Sequence, residues 1–198
     1  FDSISKNKKI NIISMTNEQF AAMAADGYAR TTGRLGVAIS TSGPGATNLL
    51  TGTCCSFYDS IPTLMITGQV STNRQKQSKH LRQLGFQETE TLAIFKSISK
   101  FCEKINHVNE IKFILEKAIY IAFDKRQGPV VVEIPDDIQR SYVETNNLIS
   151  YKPKLNFNSK LDVEVFNKII SCVNNSQKPV IVLGNGIKTP KINQNLKT

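Results

Sequence analysis

The stretch Leu35-Gly36-Val37-Ala38-Ile39-Ser40-Thr41, followed without a break by Ser42-Gly43-Pro44-Gly45-Ala46-Thr47-Asn48, decides the fold. Its first half is a near-continuous apolar run, the pattern of a strand buried on both faces of a parallel sheet rather than alternating between core and water. Its second half is a glycine-rich turn that leads into another helical stretch running through Tyr58. Strand, glycine turn and helix N-terminus in immediate succession form the repeating unit of an α/β protein.

Working outward, Ile10 to Ser14 predicts a short strand, and Glu18 to Thr31 a helix with Phe20, Ala21, Ala24, Ala25 and Tyr28 on one side, ended by Gly33. On the other flank, Pro62 to Gly68 predicts the next strand, and the polar run Gln69 to Gly85 a long surface loop, a kind of segment that is often functional in a compact domain. Ile111 to Phe123 reads as an amphipathic helix, and Gly128-Pro129 introduces a strand from Val130 to Ile134, closed by Pro135. The fold class is therefore α/β, a parallel sheet with helices on both faces. Tyr142 to Asn158 is polar, holds Pro153 and lacks a period, which marks an interdomain linker. Leu161 to Val173 predicts a helix and Pro179 to Gly184 a strand ending in Gly184-Asn185-Gly186, the opening of a second α/β domain. The expected division is a first domain over residues 1–141, a linker over 142–160, and the truncated beginning of a central domain over 161–198. The chain opens at Phe1 without Met and closes on the polar run Lys191 to Thr198, so it reads as a piece of a longer protein.

Composition narrows the function. With 40% hydrophobic and 21% charged residues in 198, the chain is ordinary for a soluble globular protein. The net charge of +9 is spread along the chain with no basic stripe of interleaved aromatics, which argues against a nucleic-acid partner. Cys54, Cys55, Cys102 and Cys172 form no CxxC pair and have no His at zinc spacing, so they read as buried free thiols in a reducing compartment, and no metal ligands are assigned. His80 and His107 lack a Ser or Cys partner, against a nucleophilic triad. No apolar run reaches bilayer length and no signal peptide is visible, so no membrane partner and a cytoplasmic location are expected.

Three motifs carry the chemistry: Asn17-Glu18-Gln19 with Ala24-Ala25-Asp26-Gly27-Tyr28-Ala29-Arg30, then Thr41 to Asn48, then Gly85-Phe86-Gln87-Glu88. In this order and spacing they resemble the thiamine-diphosphate (TPP) enzymes, and among them the acetolactate synthase family. The likeness runs from about Ile10 to Asp137 and covers the pyrimidine-binding N-terminal domain, with Lys178 to Gly186 similar to the start of the central domain.

The resemblance implies that Glu18 is the catalytic carboxylate that hydrogen-bonds N1′ of the cofactor's aminopyrimidine, so that the 4′-nitrogen can take the thiazolium C2 proton. A carboxyl in an apolar pocket, its pKa raised, would suit that task. By position alone, Glu18 is better read as a charge favoured in the first turn of a helix, and only the Ala-Ala-Asp-Gly-Tyr-Ala-Arg run that follows reverses that reading. Gly43-Pro44-Gly45 could equally belong to a dinucleotide site, but Asn48 stands where the third glycine would be and no acidic residue ends the next strand. The resemblance instead places Pro44 and Asn48 near the aminopyrimidine, with Gly43 and Gly45 allowing close backbone approach. It sets Phe86 and Gln87 on the substrate side. Two departures lie there: the segment reads Leu81-Arg82-Gln83-Leu84-Gly85 before Phe86-Gln87 where the family carries Gly-Thr/Ser-Asp-Ala before Phe-Gln, and Asn17 stands where it commonly has His. Asp59 to Pro62 and Gly68-Gln69-Val70 also match, best read as a turn and a strand end. Met23 and Met65 read as core fillers, and Arg30, Arg34 and Arg74 as solvated.

The implied activity of the full-length protein is a carboligase that decarboxylates a 2-keto acid such as pyruvate and transfers the two-carbon unit to a second keto acid. The implied assembly is a homodimer or homotetramer. Mg²⁺ would be held by a Gly-Asp-Gly motif that this chain lacks, and FAD is an option for the parent. An enzyme of surface-polysaccharide or sugar biosynthesis and a non-catalytic oligomerising module are the rival readings.

Overall fold

The computed structural model describes residues 2–78, 80–153, 162–182 and 184. They fall into two compact units, one through Tyr151 and one from Lys152 onward. The first unit holds helix α1 (Asp2–Ser5), α2 (Glu18–Thr32), strand β1 (Gly36–Ser40), α3 (Pro44–Asn48), α4 (Leu50–Tyr58), β2 (Thr63–Gln69), α5 (Thr91–Phe95), β3 (Phe101–Lys104), α6 (Ile111–Phe123), β4 (Val130–Pro135) and α7 (Asp136–Arg140). The second holds α8 (Val163–Asn175), whose N-cap Asp162 accepts from the N–H groups of Glu164 and Val165.

All strand pairings are parallel and the order is β1-β2-β4-β3. Successive side chains of a strand point to opposite faces, and the core divides accordingly. Met65 and Val131 pack with Ala22, Ala25, Ala38, Leu49 and Phe95 on one face. Leu64, Val130 and Val132 pack with Ile105, Ile114, Ala118 and Ala122 on the other. Thus α2, α4 and α5 cover one face and α6 the other, and burying each large aliphatic side chain contributes about 1.5–3 kcal/mol. The α/β reading with helices on both faces holds.

Helix α2 ends at Gly33 as its sequence predicts, and its N-terminus is capped as well. Asn17 is the N-cap, its Oδ1 accepting from Gln19 N at 2.8 Å, and Gly33 closes the helix at φ +68°, where a residue with a Cβ is disfavoured. The buried face differs from the expected one. Ala22, Ala25, Asp26 and Ala29 point inward, while Phe20, Met23 and Tyr28 are exposed. The reason is close approach of backbones: a Cβ on Gly36 would collide with the carbonyl of Ala25, and one on Gly52 would lie 2.5 Å from the Cβ of Ala22. Only small side chains fit between α2, β1 and α4, so the large ones turn outward and Met23 is not a core filler, whereas Met65 is fully buried. Asp26, inside, is satisfied by Ser56 Oγ at 2.8 Å and by Arg30. Arg30, exposed as the sequence reading has it, also reaches Asp59 at 2.8 Å and so ties α2 to the end of α4.

Other elements also depart from expectation. Ile10 to Ser14 is not a strand, and Ile10, Ile12 and Ile13 are exposed because no neighbouring strand pairs with them among the described residues. Cys55 and Cys172 are exposed, though all four thiols are free. Tyr151 belongs to the first unit: its ring packs edge-on against Phe113 at 5.4 Å and its N–H donates to Glu116 at 2.7 Å. In the second unit, residues 179–182 form no strand among the described residues, and Leu161, Asn185 and Gly186 lie outside them. No helix among the described residues is long and apolar enough to cross a membrane.

Candidate functional site

Because α2 precedes β1 through a tight turn and packs on it, it runs antiparallel to that strand, and its N-terminus stands at the strand's carboxyl end. The carboxyl ends of parallel strands, near the place where strand order reverses, are where open α/β sheets bind ligands. Here the chain steps from β1 to β2, skips a place to β3 and returns to fill the gap with β4. The turn after β1, the loop after β2 and helix α7 therefore share one end of the sheet.

Glu18, the first residue of α2, meets the turn after β1 there. Its Oε2 accepts from Asn48 Nδ2 at 3.0 Å across 30 residues of sequence. Its Oε1 lies over Gly45, where a Cβ would come within 3.1 Å of it and 2.6 Å of Thr41 Cγ2. Glycine at 45 thus keeps one carboxylate oxygen open on a backbone floor. The Asn48 amide first, and then the backbone N–H of Glu18 itself, hold its carboxyl below the usual carboxylate range against the opposing pull of burial. The apolar, pKa-raising pocket expected from sequence is absent at Glu18, which is only half-buried.

Gly43, the N-cap of α3, sits at φ 60° and ψ −125°. A Cβ there would lie 2.7 Å from Gln87 Cβ and 2.9 Å from Gln87 O. Gln87 itself adopts φ 60°, uncommon for a residue with a side chain. The structure therefore gathers Glu18, Gly43, Gly45, Asn48 and Gln87. Pro44, exposed, opens α3 at a position where its missing N–H costs nothing. Phe86, 82% exposed, shares the turn with Gln87 without packing on the group.

The loop after β2 carries residues to which the sequence assigned no task. Glu88 Oε1 accepts from Lys76 N at 2.8 Å and Oε2 from Leu84 N at 2.7 Å. Burial would raise its carboxyl, but the N–H groups of Leu84, Lys76 and Gly85 and the Lys76 charge outweigh that and lower it. Gln69 Nε2 donates to Thr89 O at 2.8 Å and to Glu133 Oε2 at 3.1 Å, tying the loop to the sheet. Glu133 is 3% exposed, and burial pushes its carboxyl up against the Thr91 hydroxyl, the Lys104 charge and Gln69. A lone acid inside the run Val130-Val131-Val132-Glu133-Ile134 was the available signal for this buried pair. A polar cleft of about 170 Å³ opens beside it, lined by Gln69, Gln75, Glu88, Lys104 and Glu133 among others. Glu18 and Asn48 stand outside that cleft, on an open surface.

Comparison with known proteins gives matches over this part of the chain. Residues 1–94 match the family described as thiamine pyrophosphate enzyme, N-terminal TPP binding domain. The chain is 36% identical over 195 residues to a probable acetolactate synthase large subunit of Methanocaldococcus jannaschii, covering 94% of this chain and 31% of that protein. It is 34% identical to the chloroplastic acetolactate synthase of Arabidopsis thaliana (93% and 27% covered) and 35% identical to the acetolactate synthase large subunit of Lactococcus lactis (94% and 32% covered). The chain thus spans about a third of the length of these curated relatives. By its motifs, its parallel sheet and these matches, the chain is similar to the thiamine pyrophosphate enzymes, and its residues 1–94 carry the match to their N-terminal TPP-binding domain.

Proposed function

We propose that the full-length protein is a TPP-dependent carboligase of the acetolactate synthase kind, which decarboxylates a 2-keto acid such as pyruvate and joins the two-carbon unit to a second 2-keto acid. The observation that carries this reading is the Glu18 carboxylate, held by Asn48 with one oxygen open above Gly45.

These residues fit an aminopyrimidine. The open oxygen of Glu18 can hold a proton at N1′ of that ring, and the bare Cα atoms of Gly43 and Gly45 leave room for a flat ring to approach the backbone. When bound, the cofactor supplies a carbon nucleophile for the keto carbonyl. Asn48 orients the carboxylate and, by donating to Oε2, favours its ionised form, so Glu18 shares the N1′ proton rather than keeping it. Gln87, fixed against Gly43, stands where it can meet the substrate side. Mg²⁺ and, where used, FAD would bind parts of the parent beyond this chain. The open setting of Glu18 supports an active site completed by another surface in a homodimer or homotetramer.

The test is acetolactate formation from pyruvate by the full-length protein with TPP and Mg²⁺, run beside Glu18→Gln. The variant should keep its circular dichroism spectrum and lose turnover by about 10²–10⁴-fold, the range for a lost proton-transfer group. Undiminished turnover would sink the assignment of Glu18.

A further inference from the structure

The chain leaves the body of the fold at Lys76 and is back against it at Leu84, at nearly the same place. At the base, a Cβ on Gly85 would lie 2.9 Å from Val70 Cβ and 3.0 Å from Arg74 O, so the returning chain passes directly over the departing one. Gln75 anchors the departing side, donating to Val70 O at 3.0 Å and accepting from Lys104 Nζ at 2.7 Å. Lys76 Nζ adds an ion pair with Glu90 at 2.7 Å. Compact loops closed in this way are frequently functional.

Glu88 closes it. Each of its carboxylate oxygens takes one backbone N–H, Lys76 at the start of the loop and Leu84 at its end. Two short bonds to an ionised acceptor are the strong kind, and no other residue type of this length offers two acceptor oxygens to two opposed donors. Glu88 follows directly on Gln87, whose backbone presses on Gly43 in the Glu18 site. One residue therefore fixes the loop and lies next to the residue that meets the cofactor turn.

We propose that Glu88 is a positioning residue: it ties Lys76 to Leu84 next to Phe86 and Gln87, and the loop closed in this way sets which 2-keto acid is accepted as second substrate. The inference rests on the keto-acid carboligase reading above. Isosteric Glu88→Gln offers only one acceptor oxygen and turns an NH₂ toward the other donor, so it opens one end of the loop. Leu84→Pro removes the 2.7 Å donor at the other end and leaves Glu88 and the Gly85 N–H in place.

The experiment uses the full-length protein and reads four quantities in wild type and both variants: KM for pyruvate, the product ratio when pyruvate competes with a 2-keto acid one carbon longer, TPP affinity, and tryptic cleavage after Lys76, Lys79 and Arg82. Both variants should cleave faster, shift the product ratio, and raise the acceptor KM by about tenfold, the effect of one lost hydrogen bond to a charged group. TPP affinity should not change. Faster cleavage with an unmoved product ratio and KM overturns the role in acceptor choice, and unchanged cleavage overturns the lock. A wild type that forms no condensation product from either acid overturns the carboligase reading instead. If Glu88→Gln fails to fold, Leu84→Pro decides alone.

Discussion

Replacing Gly43 by Ala tests whether the contact between the cofactor turn and Gln87 is as tight as the geometry says. Gly43 sits at φ 60° and ψ −125°, a conformation that costs a residue with a Cβ about 1–3 kcal/mol. The new Cβ would also lie 2.7 Å from Gln87 Cβ and 2.9 Å from Gln87 O, where carbon atoms rest at about 3.5–4.0 Å. One side must withdraw by roughly 1 Å, and overpacking of this kind typically costs about 1–3 kcal/mol. The expected total is about 3 kcal/mol, which lowers Tm by about 6–12 °C for a chain of this size. Urea unfolding of the chain followed by circular dichroism gives the number. A double-mutant cycle isolates the contact: Gln87→Gly removes the opposing Cβ and relieves the φ of 60° at that position, so Gly43→Ala should cost less in its presence. A Gly43→Ala variant within about 0.5 kcal/mol of wild type, or an equal cost in both backgrounds, would refute the close contact.

Glu133→Gln should raise Tm by a few degrees at pH 7–8. The amide oxygen still accepts from Gln69, and the burial that pushes the Glu133 carboxyl up no longer opposes an ionised group. Because the folded carboxyl resists ionising, wild-type stability falls as pH rises from the unfolded toward the folded pKa, so the gain should shrink in acid and vanish once both states are protonated. A melting series across pH 4–8 with a constant difference would refute this. Lys100→Met should destabilise the chain by about 1–3 kcal/mol in urea unfolding, since Lys100 Nζ donates to the carbonyls of Ile121 and, at 2.6 Å, Asp124 at the end of α6. An unchanged midpoint would show that water replaces it freely.

How much of the fold is legible in the sequence differs from element to element. The ends of α2 are, because Asn17 and Gly33 act locally on the backbone. Its buried face is not, because it depends on how near Gly36 and Gly52 let other backbones come, which is a tertiary fact. Strands β2 and β4 announce themselves as continuous apolar runs buried in the middle of the sheet. Strand β3 does not: it has four half-buried residues at the sheet's edge, two of them charged, and no run to distinguish it from a loop. At the site, Glu18, Asn48 and the glycines are found through their motif, while the 30-residue reach from Asn48 to Glu18 is visible only once folded. Nothing local marks the left-handed backbone of Gln87 or the two amides that Glu88 collects.

The seating of α2 on bare backbone has a bearing on how this protein can change. A helix docked through side chains slides when those side chains are exchanged, whereas α2 rests against β1 and α4 where Gly36 and Gly52 bring main chain against it. Its axial position is thus set by parts that substitution elsewhere does not alter. Core residues on the opposite face, under α6, can drift among aliphatic types while Glu18 keeps its height above Gly45. In a library of random variants, tolerated exchanges should crowd onto Ile114, Val130 and Val132, and be rare at Gly36, Gly52, Ala22 and Ala25.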